Sequence, residues 1–395
     1  MKTTLSLATL VSLLPAALAA NFTLIDTWQG SNFFDGWDFV NNFDNTTNGD
    51  VNYISPLVNA SANQLAFVNS AGQAIIKVDN VTNVPYPDKR DSIRISTSTY
   101  YEAGTVWIFD ATHLPYGCSV WPSFWTKGQD WPRQGEIDIV EGINLQEANQ
   151  MALHTFAGCT AATGTTQTGT KGDTNCNSTT GSGCTVGESN TNSFGANFAS
   201  SGGGVWATQF DASGIFIWFW SRSNVPASIT TATDSIDLSS WGTPSAAYPA
   251  SSCTIGDFFG PQQLVIDITL CGDWAGVPSI YQPTCGGDGS ANGCYVNSVI
   301  NAGSPHYDNA YFEINYVKAF GVNSSVAIRP AGTSPATSGS AGASTPTSTA
   351  KGSGTTTSAG SGTTTGGAVA LTLENAGIFS VLGAGVLALA SGLFL

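Results

Sequence analysis

Gly135-Glu136-Ile137-Asp138-Ile139-Val140-Glu141-Gly142 is the stretch on which the reading of this chain turns. Side chains on a β-strand alternate between two faces. Glu136 and Asp138 therefore share one face, while Ile137 and Ile139 fill the other. Strict alternation would put Val140 with the acids and Glu141 in the apolar layer, where an unpaired carboxylate is costly. One extra residue, a β-bulge near Ile139-Val140, returns Glu141 to the acidic face. The stretch thus predicts a bulged strand with an apolar face, an open face and three carboxylates in line on the open one.

Short alternating runs of the same kind surround it. Ala74 to Val78, Ser92 to Ser96, Val106 to Phe109, Met151 to Phe156 and Leu264 to Leu270 read as strands. Trp206 to Phe210 and Ile215 to Trp220 flank Asp211-Ala212-Ser213-Gly214, read as a four-residue hairpin loop. Tyr311 to Phe320 alternates over a long final strand. No helix of ten residues is expected between 21 and 322, and no fixed-period repeat favours a propeller. The expected fold is all-β: a two-sheet jelly-roll sandwich, concanavalin-like, with an open substrate cleft. Composition agrees. The chain holds 45 Gly, 11 Trp, 11 Tyr and 20 Phe, and only 10% of its residues are charged. Aromatics suit pleated surfaces and glycines suit turns. With 12 Lys and Arg against 27 Asp and Glu, the net charge is −15. That excludes nucleic acid as a partner, since phosphate binding needs a basic surface.

Both ends carry address signals. Residues 1–20 read as a secretory signal peptide, with Lys2, the apolar run Leu5 to Leu14 and the small-x-small site Ala17-Leu18-Ala19. The folded domain is expected over 21–322. Residues 323–367 read as a disordered stalk, because Ser, Thr, Gly, Ala and Pro cannot bury enough apolar area to offset ordering entropy. Residues 368–395 read as the propeptide of a GPI anchor, with Gly366 as the expected attachment residue. A transmembrane tail is the other reading, though no Lys or Arg follows it. Six N-x-S/T sequons begin at Asn21, Asn45, Asn59, Asn80, Asn177 and Asn323. Eight cysteines lie between the two ends; their even number in a secreted chain favours disulfides, with local pairs expected within 253–294. The absence of C-x-x-C spacing and the three His speak against a zinc site. No metal or cofactor is expected, and the chain is expected to act as a monomer.

Two carboxylates across a small gap are the tool of glycoside hydrolysis, one as nucleophile and the other as proton donor. A third between them hydrogen-bonds the nucleophile and separates the neighbouring pKa values. A calcium site or a solvated acidic strand is the plain alternative. The neighbours favour sugar. Trp121, Trp125 and Trp131 precede the acids, flanked by Pro and Gly as in loops over a cleft, and aromatic faces stack on the apolar faces of pyranose rings.

Trp121-Pro-Ser-Phe-Trp125, Trp131-Pro132, Gly135-Glu-Ile-Asp-Ile-Val-Glu-Gly-Ile-Asn144 and Leu153-His154-Thr155 together resemble family 16 glycoside hydrolases. The branch they are most similar to is the fungal laminarinase branch, the endo-1,3(4)-β-glucanases. The resemblance covers essentially all of 21–321. It implies a jelly roll with a curved sheet lining the cleft, a β-glucan substrate and a retaining double displacement. By position in the motif, Glu136 is the implied nucleophile, Asp138 its assistant and Glu141 the acid/base. Trp121, Trp125, Trp131, His154, Trp274 and Arg94 are the implied substrate-binding residues. GPI-anchored wall transglycosylases share the fold, usually with an unbulged E-x-D-x-E motif. The alternatives are therefore a cell-wall glucan transglycosylase, a non-catalytic glucan-binding lectin and a structural wall protein. The expected place of action is the cell surface, anchored to plasma membrane or wall, with membrane contact only through the anchor.

Overall fold

Runs with a two-residue apolar period become two stacked, mainly antiparallel sheets. The computed structural model describes residues 22–59, 61–180 and 182–331. The signal segment, Asn21, the stalk from 332, Gly366 and the apolar tail lie outside the described residues. The principal strands are β1 (Phe22–Gln29), β2 (Trp37–Phe39), β3 (Arg94–Thr97), β4 (Thr105–His113), β5 (Val120–Gly128), β6 (Glu136–Glu141), β7 (Gln150–His154), β8 (Cys184–Gly187), β9 (Gly204–Asp211), β10 (Gly214–Ser221), β11 (Ala246–Pro249), β12 (Gln262–Leu270), β13 (Tyr311–Gly321) and β14 (Ala327–Ile328).

One sheet runs β1-β13-β4-β9-β10-β11 and the other β8-β7-β6-β5-β12, with β3 and then β2 beyond β12. The chain crosses repeatedly between the two, as a jelly-roll sandwich requires. The core lies between them. Phe109 of β4 stacks on Phe124 of β5 with ring centroids 4.4 Å apart. Ile137, Val140, Met151, Leu153, Ile266 and Ile268 are buried in the same layer. The longest helix among the described residues is the eight-residue α2 (Pro278–Cys285), and a short α1 (Gly272–Ala275) precedes it. No helix among the described residues is long and apolar enough to cross a membrane.

Four expectations change. Asp211 pairs directly with Gly214, so the hairpin turns on Ala212-Ser213 alone rather than on four residues. Trp121 and Trp125 lie within β5, not in loops; only Trp131 sits in a turn. The folded unit does not stop at 322. Ala327 and Ile328 pair with Tyr101 and Tyr100, and Arg329 holds the buried Asp26 at 2.7 Å. The disulfides are Cys118–Cys285, Cys159–Cys253, Cys176–Cys184 and Cys271–Cys294. Only the last falls within 253–294. Cys253 and Cys285 reach across the fold instead, because strand order brings distant loops together. Among the sequons, Asn45 and Asn323 are exposed, Asn59 and Asn80 are partly covered, and Asn177 is buried.

Candidate active site

The open face of β6 is set by its bulge. Glu136 stands opposite Lys127 of β5 and His154 of β7, Asp138 opposite Trp125 and Ala152, and Glu141 opposite Ser123 and Gln150. Between Asp138 and Glu141 the register slips. Ile139 has no partner on β5, where Phe124 already faces Val140. Both Ile139 and Val140 are buried, which releases Glu141 to the acidic face. Asn149, itself buried, closes the bulge. Its Nδ2 donates to the Ile139 carbonyl at 2.9 Å and its Oδ1 accepts from the Glu141 amide at 2.9 Å. The side chain thereby satisfies two backbone groups that the slipped ladder leaves without a strand partner.

Two indoles bracket the acids. Trp131 Nε1 donates to Glu136 Oε2 at 2.7 Å, and Trp121 Nε1 donates to Glu141 Oε1 at 2.8 Å. Ser123 Oγ reaches the same Glu141 oxygen at 3.3 Å. Trp131 is half exposed, at 51%, so its ring is free to meet a ligand. Trp274, in α1, packs edge-on to Trp121 with centroids 5.5 Å apart. His154 Nε2 lies 3.2 Å from Asp138 Oδ2 and 3.9 Å from Glu136 Oε1. Asp138 is almost wholly buried, and its Oδ2 has no aligned hydrogen-bond donor. Glu136, Asp138 and His154 each offer one donor atom, all within 4.8 Å of one another.

Arg94 occupies a different position from the other expected site residues. It is buried, with its guanidinium over the rings of Trp125 at 5.1 Å and Tyr53 at 6.0 Å. Across the sheet it faces Asp267 of β12. Asp267 in turn accepts from Trp125 Nε1 at 2.7 Å and from the Tyr53 hydroxyl at 3.1 Å. Arg94 therefore stands in line with Asp267, Ser123 and Glu141 across neighbouring strands, on the face that carries the acids.

The electrostatics follow from burial. Glu136 and Glu141 are each pushed up to about 8, chiefly by desolvation and next by the charge of Asp138. Asp138 rises to about 8 through desolvation and the charge of Asp267. His154 pulls Glu136 and Glu141 back down, as do the indole donors. Burial and mutual repulsion thus resist ionisation of all three together, and the cluster holds protons at neutral pH, as acid catalysis requires.

All nine expected site residues, Arg94, Trp121, Trp125, Trp131, Glu136, Asp138, Glu141, His154 and Trp274, belong to this face or to its immediate support. Sequence reasoning missed Asp267, Asn149, Ser123 and Tyr53. Asp267 had a signal: it is an acid at an alternate position of the apolar run Val265-Ile266-Asp267-Ile268. Asn149 had none, because its partners are backbone atoms.

A family model described as the XgeA-like, catalytic GH16 domain matches residues 37–320. A probable glycosidase of Schizosaccharomyces pombe is 38% identical over 312 residues, 78% of this chain and 71% of that protein. A probable endo-1,3(4)-β-glucanase of Neosartorya fischeri is 37% identical over 314 residues, 78% of this chain and 46% of that protein. The chain thus spans about half the length of the curated glucanase it matches. Among solved structures, the GH16 laminarinase 16A of Phanerochaete chrysosporium, holding 6-O-glucosyl-laminaritriose in donor and acceptor sites, superposes with a TM-score of 0.70. It is 36% identical and covers 76% of this chain and 99% of that one. An elongating family 16 β-1,3-glucosyltransferase gives a TM-score of 0.68 at 38% identity, with 76% of this chain and 99% of that one covered.

Proposed function

The chain belongs to glycoside hydrolase family 16, and from that premise we propose that it is an endo-β-glucanase. Its substrate is β-1,3 or mixed β-1,3(4) glucan, cleaved with retention of configuration. The observation that carries this is the bulge, which lines up Glu136, Asp138 and Glu141 on one face between two indole donors. A Glu136 oxygen attacks the anomeric carbon while the bond to the leaving sugar oxygen breaks, and Glu141 gives that oxygen its proton. A glycosyl ester on Glu136 results. Glu141 then takes a proton from water, the hydroxide oxygen bonds to the anomeric carbon, and the Glu136 carboxylate leaves. Asp138 raises the proton affinity of both through its charge, and His154 contacts Asp138 and Glu136 alike. Trp131, Trp121 and Trp274 provide aromatic surface for the sugar rings.

The decisive experiment is product analysis on laminarin, lichenan and a short β-1,3 oligomer, with anomeric configuration followed by NMR. The β-anomer should appear first. Glu136→Gln should lower kcat by at least about 10⁴-fold with the fold intact. Full activity in that variant, or α-anomer as first product, sinks the assignment.

A second reading, transfer of the glycosyl group to another glucan, is favoured by the likeness to an elongating glucosyltransferase. Water and a sugar hydroxyl compete for the same ester. Products longer than the supplied oligomer would establish transfer.

The place of action rests on the sequence outside the described residues. A signal peptide over 1–20, a Ser/Thr/Gly-rich tether and a GPI anchor near Gly366 would hold the domain at the cell surface, where wall glucan lies within reach. Release of the protein from intact cells by phosphatidylinositol-specific phospholipase C is the expected result. Retention of the 368–395 peptide in the mature protein would exclude the anchor.

A further inference from the structure

The geometry points to a second ligand for the acidic face: a divalent transition cation such as Zn²⁺, held by Glu136, Asp138 and His154 and excluded by bound glucan. The three side chains come from directly paired strands. Glu136 and His154 face each other across β6 and β7, and Asp138 follows two residues on along the same face. Their donor atoms lie within 4.8 Å of one another, with His154 Nε2 at 3.2 Å from Asp138 Oδ2 and 3.9 Å from Glu136 Oε1.

Zinc bonds nitrogen and carboxylate oxygen at about 2.0–2.2 Å, which for a tetrahedral ion puts its ligands roughly 3.3–3.6 Å apart. The His154–Asp138 spacing of 3.2 Å lies close to this, and the Glu136–His154 spacing of 3.9 Å needs to close by roughly 0.3–0.6 Å on that scale. Asp138 supplies an independent indication. It is 3% exposed, and its buried Oδ2 makes no aligned hydrogen bond, its nearest base being His154 Nε2 at 3.2 Å. A buried oxygen left in that state is costly unless something takes its lone pair.

Ligand chemistry selects the ion. One imidazole nitrogen with two carboxylates suits Zn²⁺ or Cu²⁺, whereas Ca²⁺ and Mg²⁺ take oxygen ligands in larger number. A dication also relieves the repulsion that Asp138 exerts on Glu136 and receives from Asp267. Arg94 is engaged over Trp125 and across from Asp267. Bound there, the ion occupies the lone pair that Glu136 needs for attack. The cation is thus an inhibitor that competes with substrate.

The test is isothermal titration of ZnCl₂ into chelator-stripped full-length protein in a non-coordinating buffer. One saturable site is expected, with affinity in the micromolar range or tighter. Asp138→Asn and His154→Ala should each weaken it by at least about tenfold, with far-UV circular dichroism unchanged. On laminarin, Zn²⁺ should raise the apparent KM and leave kcat in place. Absence of a saturable site, retention of binding in both variants, equal affinity for CaCl₂, or a fall in kcat at unchanged KM would each overturn the proposal. The titration needs no turnover. A protein that binds zinc in this way but releases no sugar removes the glucanase reading and leaves this one standing.

Discussion

Two buried aspartates, one in each sheet, sit at register slips and meet opposite fates. Asp110 of β4 lies where the pairing with β13 shifts. It is gripped by Arg222 through Nη1 at 2.8 Å and Nη2 at 2.6 Å, and it accepts a third bond from Asn315 Nδ2 at 2.6 Å. Asp138 of β6 lies where the pairing with β7 shifts. It has no arginine; its Oδ2 faces only His154 Nε2, at 3.2 Å and without an aligned hydrogen bond, and a like charge lies beside it. A bulge frees local backbone in both places. Only at Asp110 does the fold supply a guanidinium as countercharge. Burial without compensation is what separates a working carboxylate from a structural one.

Breaking this contrast should give unequal results. Asp138→Asn removes a repelled charge, so stability should hold or rise while kcat on laminarin falls by roughly 10–100-fold. Chemical denaturation beside steady-state kinetics checks both halves; a strongly destabilised variant would make Asp138 a structural residue like Asp110. Arg222→Ala does the reverse. It leaves Asp110 buried with its countercharge gone and should cost about 2–3 kcal/mol, below the figure for a fully buried pair because water reaches the guanidinium. kcat/KM should stay within about twofold, since the pair lies in the other sheet.

Acidity sharpens the contrast next. Glu136 titrates near 8 in the fold against 4.5 ordinarily. Between these values the native state holds more protons than the unfolded chain, so stability falls as pH rises through the window. Glu136→Gln removes one such group. Its melting temperature should exceed that of the wild type at pH 8 and approach it near pH 4; parallel curves would remove the burial argument. The smallest effect is expected from Trp121→Phe, which keeps a ring but loses the donor that lowers Glu141. The alkaline limb of kcat/KM should move to higher pH with only a few-fold loss of rate. An unmoved limb would mean that Glu141 is not the titrating acid.

Much of the site was legible because its logic is local. Alternation placed Glu136 and Asp138 together, and the cost of a buried Glu141 demanded an inserted residue between Ile139 and Glu141. The indole donors were not legible. Trp121, Trp125 and Trp131 read as loop platforms, yet two are strand residues whose ring nitrogens hold carboxylates on neighbouring strands. Asn149 escaped because a side chain that caps backbone leaves no pattern. Cys253 and Cys285 were misread because closeness in sequence stood in for closeness in space.

The sequence by itself determined the class of fold, the bulged acidic strand and the kind of chemistry, since period, charge cost and residue type act over a few neighbouring residues. Only the tertiary structure decided which strand lies beside which. From that order came Asp267 beside the acids, Arg222 on Asp110, the cross-fold disulfides and the return of Ala327-Ile328 to the sheet. The physical reason is the range of each force. Alternation acts from one residue to the next, whereas the partner of a buried charge is chosen by whichever distant strand the packing of the two sheets sets beside it.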